Sequence, residues 1–344
     1  MNPTPTKLQS TIRTAATVAA IALLALGALP APASAQTGSP PAVDAGSPLA
    51  QRAAEDYRRE ARYPDHSRAL EAGRPDPVRA KHTPTRHSLA GPDGAPPRLS
   101  VWSEQVSFQA PEPVDLFATL QGPGRHEAVI TGEVEDARGN PVGTVTYLDD
   151  GVAPDARAGD GVYSARFELP GEAVPELAEA FLVKVYAGLD DGDSRRVAAG
   201  FLYTSPWAEL TGRFRDRVVD GDLVVSAQVE VERAGRFHLE GALHTMSGEP
   251  VGWAQTALEL EPGVHWVDLS FYGLMFRDRG ASGPLRLGTV ALTTTGAMPN
   301  GLGEPLVDAY TTRPVRAERM RAEPFARPDL LQAAERLEGR AGSR

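Results

Sequence analysis

The sequence predicts an all-β protein: two tandem immunoglobulin-like β-sandwiches, with an N-terminal helix and extended arm before them and a short C-terminal helix after them. Three observations carry that expectation. Apolar residues alternate at period two through most of residues 99–311, the pattern of strands with one buried face. The 344 residues include 34 glycines and 30 prolines, which favours short strands and frequent turns over long helices. Finally, a turn sequence occurs twice, as Gly139-Asn140-Pro141-Val142-Gly143 and as Gly248-Glu249-Pro250-Val251-Gly252, at equivalent places in two strand series. Duplication of one module produces such an echo.

At the N-terminus, Lys7 and Arg13 precede an apolar segment from Ala15 to Leu29, and Ala33-Ser34-Ala35 supplies a small-x-small pattern before Gln36. Residues 1–35 therefore read as a secretory signal peptide, and the protein as secreted or periplasmic. The apolar run is shorter than the ~20 residues a membrane span needs, and no later stretch reaches that length, so no integral membrane segment is expected after signal cleavage. There is no cysteine, hence no disulfide, and a metal is the staple that remains available. A net charge of −10 argues against nucleic acid as a partner, because phosphate recognition needs a basic face.

Residues 36–97 read as a leader, a short helix and a proline-rich arm. Ser47-Pro48 offers an N-cap followed by proline at the first helical position, and Leu49, Ala53 and Tyr57 recur at helical spacing through Ala61. Pro64 ends that helix. From Tyr63 to Pro97 prolines recur every few residues, which predicts no regular helix and leaves two readings, an arm lying on a domain or a loose linker. His82 and His87 fall here without a further ligand at metal-binding spacing.

Residues 98–205 form the first expected sandwich, with strands at Leu99–Phe108, Val114–Leu120, Ala128–Val134, Val142–Leu148, Val162–Leu169, Phe181–Tyr186 and Val197–Tyr203. The second occupies residues 206–312, with strands at Leu223–Val231, Phe237–His244, Val251–Leu260, Val264–Phe271, Leu285–Leu292 and Val307–Thr311. The fragment from Trp207 to Thr312 is expected to fold alone, and Trp207 itself reads as packing at the junction. Residues 313–344 are a basic tail in which Pro328-Asp329 opens a last short helix.

The stretch Asp149-Asp150-Gly151, Asp155 and Ala158-Gly159-Asp160-Gly161-Val162-Tyr163, followed by Phe167, resembles a loop of secreted bacterial immunoglobulin-like proteins labelled "choice-of-anchor X". Tyr63-Pro64-Asp65-His66-Ser67-Arg68-Ala69-Leu70 and Asp308-Ala309-Tyr310-Thr311-Thr312 are similar to the same proteins. The resemblance implies tandem β-sandwiches in an exported protein of unknown function and brings no catalytic residues with it. Relatives often carry a C-terminal sorting tail, and this sequence ends in charge instead.

The acidic loop supports two readings. In one, it is a plain hairpin connection whose aspartates cap their own backbone. In the other, Asp149, Asp150, Asp155 and Asp160 gather round a calcium ion, in a glycine-broken loop without the twelfth-position glutamate of an EF-hand. Trp266, on the outer parity of its strand with Asp268 and Ser270, is the candidate ligand-binding aromatic, against simple covering by another part of the chain. His238, Glu240 and His244 share one strand face; a polar outer face is the plainer reading, since the two histidines would stand ~20 Å apart and could not share a zinc. Reaction motifs for a serine or cysteine nucleophile, a zinc helix or a phosphate loop are missing, and His126-Glu127 has no second histidine after it. The functional expectation is a non-catalytic binding or structural protein, perceiving a cell-envelope glycan or another protein, with calcium as the one candidate cofactor. The alternative is a secreted hydrolase, or an accessory module of one, using loop carboxylates such as Asp149 or Asp160.

Overall fold

The computed structural model describes residues 47–122, 128–189 and 192–339; residues 1–46, which include the stretch expected to be a signal peptide, and the His126-Glu127 pair lie outside the described residues. The first element, α1 (Pro48–Glu60), starts as its sequence predicts, with the Ser47 hydroxyl accepting from the Ala50 N–H at 3.2 Å and Pro48 in the first turn. Then come β1 (Ser67–Ala69) and α2 (Pro77–Lys81). The proline-rich arm thus does contain a regular helix. Pro77 occupies its first position, where a missing N–H costs nothing, and Asp76 Oδ1 accepts from the N–H groups of Val78 and Arg79 at 2.8 and 3.2 Å.

The first sandwich comprises β2 (His87–Leu89), β3 (Arg98–Ser103), β4 (Ser107–Gln109), β5 (Val114–Gln121), β6 (Ala128–Glu135), β7 (Pro141–Tyr147), β8 (Val162–Phe167), β9 (Ala178–Leu189) and β10 (Ser194–Thr204). One sheet runs β2-β3-β5-β8, the other β4-β10-β9-β6-β7. Their alternate side chains meet in one core, in which the Phe181 and Phe201 rings stack and Phe108 abuts Phe201 edge-on. The single strand expected over Leu99–Phe108 is divided. After Ser103, whose hydroxyl donates to the Gln105 carbonyl at 2.6 Å, the chain crosses to the other sheet and β4 pairs in parallel with β10.

The second sandwich comprises β11 (Ala208–Val219), β12 (Asp222–Val231), β13 (Gly235–Thr245), β14 (Pro250–Leu260), β15 (Gly263–Phe271), α3 (Leu274–Arg279), β16 (Leu285–Thr295), β17 (Gly301–Leu302) and β18 (Leu306–Thr311), and the last helix is α4 (Pro328–Leu337). One sheet is β11-β12-β15; the other is β1-β14-β13-β16-β17, with β18 also on β16. The sheet orders β3-β5-β8 and β9-β6-β7 of the first body recur as β11-β12-β15 and β16-β13-β14 in the second, an immunoglobulin-like arrangement used twice. β11 has no counterpart among the expected strands. Its register shifts between Leu210 and Phe214, around Gly212, so its apolar residues do not alternate cleanly.

The echoed turn closes the same hairpin in both bodies. Asp136 N–H donates to the Asn140 carbonyl and Gly139 N–H to the Asp136 carbonyl; Thr245, Glu249 and Gly248 repeat both bonds. Gly139 and Gly248 hold φ of +84° and +91°, a conformation open to glycine. The second glycine of each echo makes room for a core side chain. A Cβ on Gly143 would stand 2.7 Å from the Phe167 ring, and one on Gly252 2.0 Å from Met275 Sδ.

The core of the second body reaches beyond residues 206–312, since Tyr63 from the arm and Val315, Ala317 and Met320 from the tail belong to it. The arm is docked rather than loose. β1 pairs with the edge of β14, the Ser67 hydroxyl accepts from Tyr272 N–H at 3.0 Å, and Gln255 N–H donates to the His66 carbonyl at 2.8 Å. α1 meets α4, with the Arg58 guanidinium bidentate on Glu338, while Phe325 and Arg327 N–H groups donate to the carbonyls of Arg62 and Ala61. At the junction of the sandwiches, Trp207 Nε1 donates to the Glu176 carbonyl at 3.2 Å and Thr204 Oγ1 to the Leu302 carbonyl at 3.2 Å. Among the described residues no helix is long and apolar enough to cross a membrane.

Candidate functional site

The acidic loop is not a hairpin connection. β7 and β8 are edge strands of different sheets, and residues 148–161 carry the chain from one to the other, joined near their base by the Leu148–Ser164 bridge. The equivalent passage in the second body, between β14 and β15, needs only Glu261 and Pro262. The longer loop is therefore particular to the first body. Its glycines take positive φ, +74° at Gly151, +72° at Gly159 and +85° at Gly161, which lets it curl back on itself.

Three of the four expected ligands come together: Asp149, Asp155 and Asp160 each offer an oxygen within 4.8 Å of the others. Asp150 is outside the group, its Oδ1 accepting from Val152 N–H at 2.9 Å. Two oxygens on one calcium stand at most about 5 Å apart, twice the 2.3–2.6 Å bond, so the trio fits a hard cation in donor type and spacing, with carbonyls or water completing its six to eight ligands. The same carboxylates also cap backbone. Asp149 Oδ1 accepts from Gly159 and Asp160 N–H at 2.6 and 3.2 Å, and its Oδ2 from Gly161 N–H at 3.0 Å. The buried Asp155 accepts from Gly151 N–H at 2.6 Å and Arg157 N–H at 3.0 Å, and these bonds hold its carboxyl below the usual carboxylate range.

Trp266 stands where its parity predicts. It is 39% exposed, while Val267, Leu269 and Phe271 are in the core. The Arg215 guanidinium lies over the indole, 4.2 Å from the ring centroid, and Arg217 pairs with Asp268 beside it.

The His238–Glu240–His244 face of β13 differs from the solvated face the sequence predicts. Glu240 retains 3% of its surface. Lys81 Nζ donates to both its oxygens, at 2.8 and 2.7 Å, and Trp253 Nε1 to Oε2 at 3.1 Å. His238 Nε2 is 2.9 Å from Gln255 Oε1. The arm roofs this face through a second apolar layer, in which Leu70 and Val78 meet Ala242, Trp253 and Ala291. Burial lowers the pKa values of His66, His82 and His244. His82 ends α2, which packs on β13 and β16 of the second body, whereas His87 lies in β2 of the first.

Beside this roof is a cleft of about 800 Å³ that the sequence does not announce. The end of α1, β1, the segment leading to α2 and the end of α3 border it. Tyr63 Oη donates to Asp278 Oδ2 at 2.7 Å and Arg62 pairs with Asp278 Oδ1 at 2.9 Å, residues more than 200 positions apart. Burial and the Asp278 charge push the Tyr63 phenol well above its usual range. Arg59 and Arg74 both reach Glu71, at 3.7 and 3.3 Å. Arg279 donates to the Leu70 carbonyl, and Arg68 lies over the Trp253 indole, 4.8 Å from its centroid. The only signal in the sequence is the density of arginine after residue 57; the second half of the cleft arrives from α3.

No curated protein matches the chain. A DUF4785 family protein from Legionella pneumophila is structurally similar over 66% of this chain and 58% of its own, at 17% identity and a TM-score of 0.43. The chain thus spans less than two thirds of that protein's length. Native Escherichia coli alpha-2-macroglobulin is similar over 64% of this chain and 14% of its own, at 13% identity and a TM-score of 0.31. The C-terminal domain of the Streptococcus agalactiae AgI/II polypeptide BspA is covered entirely, with 67% of this chain, at 9% identity and a TM-score of 0.20. Within the chain itself, residues 207–300 match the family model described as the C-terminal domain of DUF4785, a domain of unknown function.

Proposed function

We propose that the chain is an exported, non-catalytic binding or structural protein that recognises cell-envelope material, a glycan or another protein. The observation that carries this reading is the cleft between the docked arm and the second sandwich. Two distant segments build it jointly, and its size is in the range of small-molecule and chain-end sites. Two of its three carboxylates are committed to neighbours, Asp278 to Tyr63 and Arg62, Glu71 to Arg59 and Arg74. The loop carboxylates Asp149 and Asp155 are likewise committed, to backbone N–H groups. Such groups hold a shape more readily than they exchange protons with a substrate.

Export is supported by the charged, apolar and small-residue zones of residues 1–35 and by the resemblance to secreted choice-of-anchor X proteins. Calcium belongs to the same reading as a stabiliser of the Asp149–Asp155–Asp160 loop. The test uses the protein secreted from intact cells. Mass spectrometry is expected to find Gln36 at its start, and the purified protein is expected to be retained on isolated envelope fragments without turning over glycans, esters or peptides. Turnover abolished by substitution of a single carboxylate refutes the reading.

A further inference from the structure

The geometry points to an oxyanion site in the arm cleft: Arg68 and Arg279 hold a carboxylate- or phosphate-bearing ligand. This deepens the proposed binding function and rests on it in one respect, that the cleft is a place where a ligand is held.

The local charge runs against that of the molecule. The chain carries a net −10, yet the cleft is lined by Arg59, Arg62, Arg68, Arg74 and Arg279 against three carboxylates, Glu60, Glu71 and Asp278. Arg62 is matched by Asp278, and Arg59 and Arg74 by Glu71. Arg68 and Arg279 have no carboxylate within ion-pair distance among the described residues; their contacts are the Trp253 indole and the Leu70 carbonyl. Leu70 and Trp253 pack in one apolar layer, and the two arginines that touch them, Arg279 and Arg68, both line the cleft.

Both contacts leave donors over. A guanidinium presents five N–H groups in a planar fork that matches carboxylate and phosphate oxygens two at a time. Arg279 spends one nitrogen on a carbonyl, and the guanidinium of Arg68, an exposed residue, lies over the indole with no hydrogen-bond acceptor among the described residues. Backing by β1 and by the second core holds the backbone of both residues, which limits the ordering cost of binding. The volume, about 800 Å³, accommodates more than a bare ion, so an anionic group carried on a sugar or polymer segment fits best.

The experiment titrates the full secreted chain with inorganic phosphate, citrate, trigalacturonate and neutral maltotriose, by calorimetry and by tryptophan fluorescence. At least one anion is expected to bind, with affinity falling as salt rises, and phosphate against citrate and trigalacturonate separates the two sources of charge. Arg68→Gln is expected to weaken binding about tenfold or more, and Arg68→Lys, which keeps charge and loses the fork, to fall between. Arg279→Gln is expected to weaken it as well, and Arg213→Gln, exposed on β11 outside the cleft, to leave it unchanged. Melting temperature confirms that Arg68→Gln is folded, since that side chain holds no backbone group. Failure of every anion to bind, or binding indifferent to Arg68→Gln, overturns the oxyanion site. Binding of maltotriose alone overturns it while leaving the binding function standing; conversion of a bound anion in the wild type supports the site and removes the non-catalytic reading.

Discussion

Lys81 and Glu240, 159 positions apart, form a two-pronged ion pair between the arm and the outer face of the second sandwich, with Lys81 Nζ within 2.8 Å of both carboxylate oxygens. Among the described residues the other hydrogen-bond donor to Glu240 is the Trp253 Nε1–H. Breaking a buried pair leaves the remaining charge without compensation, which costs more than the pair itself contributes.

Lys81→Met is therefore expected to destabilise the protein by about 2–3 kcal/mol, somewhat under the full burial penalty because the lysine is itself 31% exposed. Adding Glu240→Gln removes the stranded charge and is expected to recover about half. Urea unfolding of the two single variants and the double variant checks this; equal midpoints for Lys81→Met and wild type would show that the roof contributes nothing.

Acid is expected to weaken the same region. Burial lowers the pKa values of His66, His82 and His244 below the ordinary 6.5, so the unfolded chain takes up protons before the folded one does. Stability is then full above about pH 7 and declines as pH falls from about 6.5 through the lowered values. At His82 the Glu240 charge opposes the shift and Lys81 reinforces it, with burial the largest cause. Urea midpoints measured from pH 7.5 to 5 should fall, and His82→Gln should flatten the slope; a pH-independent midpoint contradicts this account.

Millimolar calcium is expected to raise the melting temperature of the first sandwich. Free calcium at a hundred times the dissociation constant adds about 2.7 kcal/mol by linkage, and Asp160→Ala should remove the difference. Melting curves that coincide in calcium and in chelator identify the loop as a turn held by its own amides.

The two echoed hairpins should respond alike to substitution. Gly252→Ala drives a methyl toward Met275 Sδ and Gly143→Ala toward the Phe167 ring, so each is expected to cost about 1–3 kcal/mol by overpacking. Ala at Gly139 meets open space and should cost less, about 1–2 kcal/mol for its left-handed backbone. Thermal denaturation ranks the three, and a harmless Gly252→Ala would break the parallel.

What could be read from the sequence was local. Parity placed Val267, Leu269 and Phe271 inside and Trp266 outside, and the Gly-x-Pro-Val-Gly echo located the duplicated hairpin. Helix α2 escaped because a run of prolines masks the one proline that sits at a first helical position with Asp76 ahead of it. Strand β11 escaped because its bulge breaks the alternation. The burial of Glu240 is illegible for a different reason: alternation identifies the face a side chain occupies, and only tertiary structure says whether another segment covers that face. The arginine cleft is the same case, assembled from Arg68 and Arg279, which no local pattern connects.

Tyr63 and Met320 meet in one core although the whole first sandwich lies between them in the chain. The second body is consequently the last to be completed during synthesis. Its inner strands can pair once β16 has emerged, but its core keeps a gap until Val315, Ala317 and Met320 arrive. Prior folding of the first sandwich shortens the effective loop between the arm and β11, which lowers the entropy cost of bringing β1 to the β14 edge. During synthesis the two modules, alike in sheet order, can therefore be completed in one order only: the uninterrupted one first, the one that needs both the arm and the tail second.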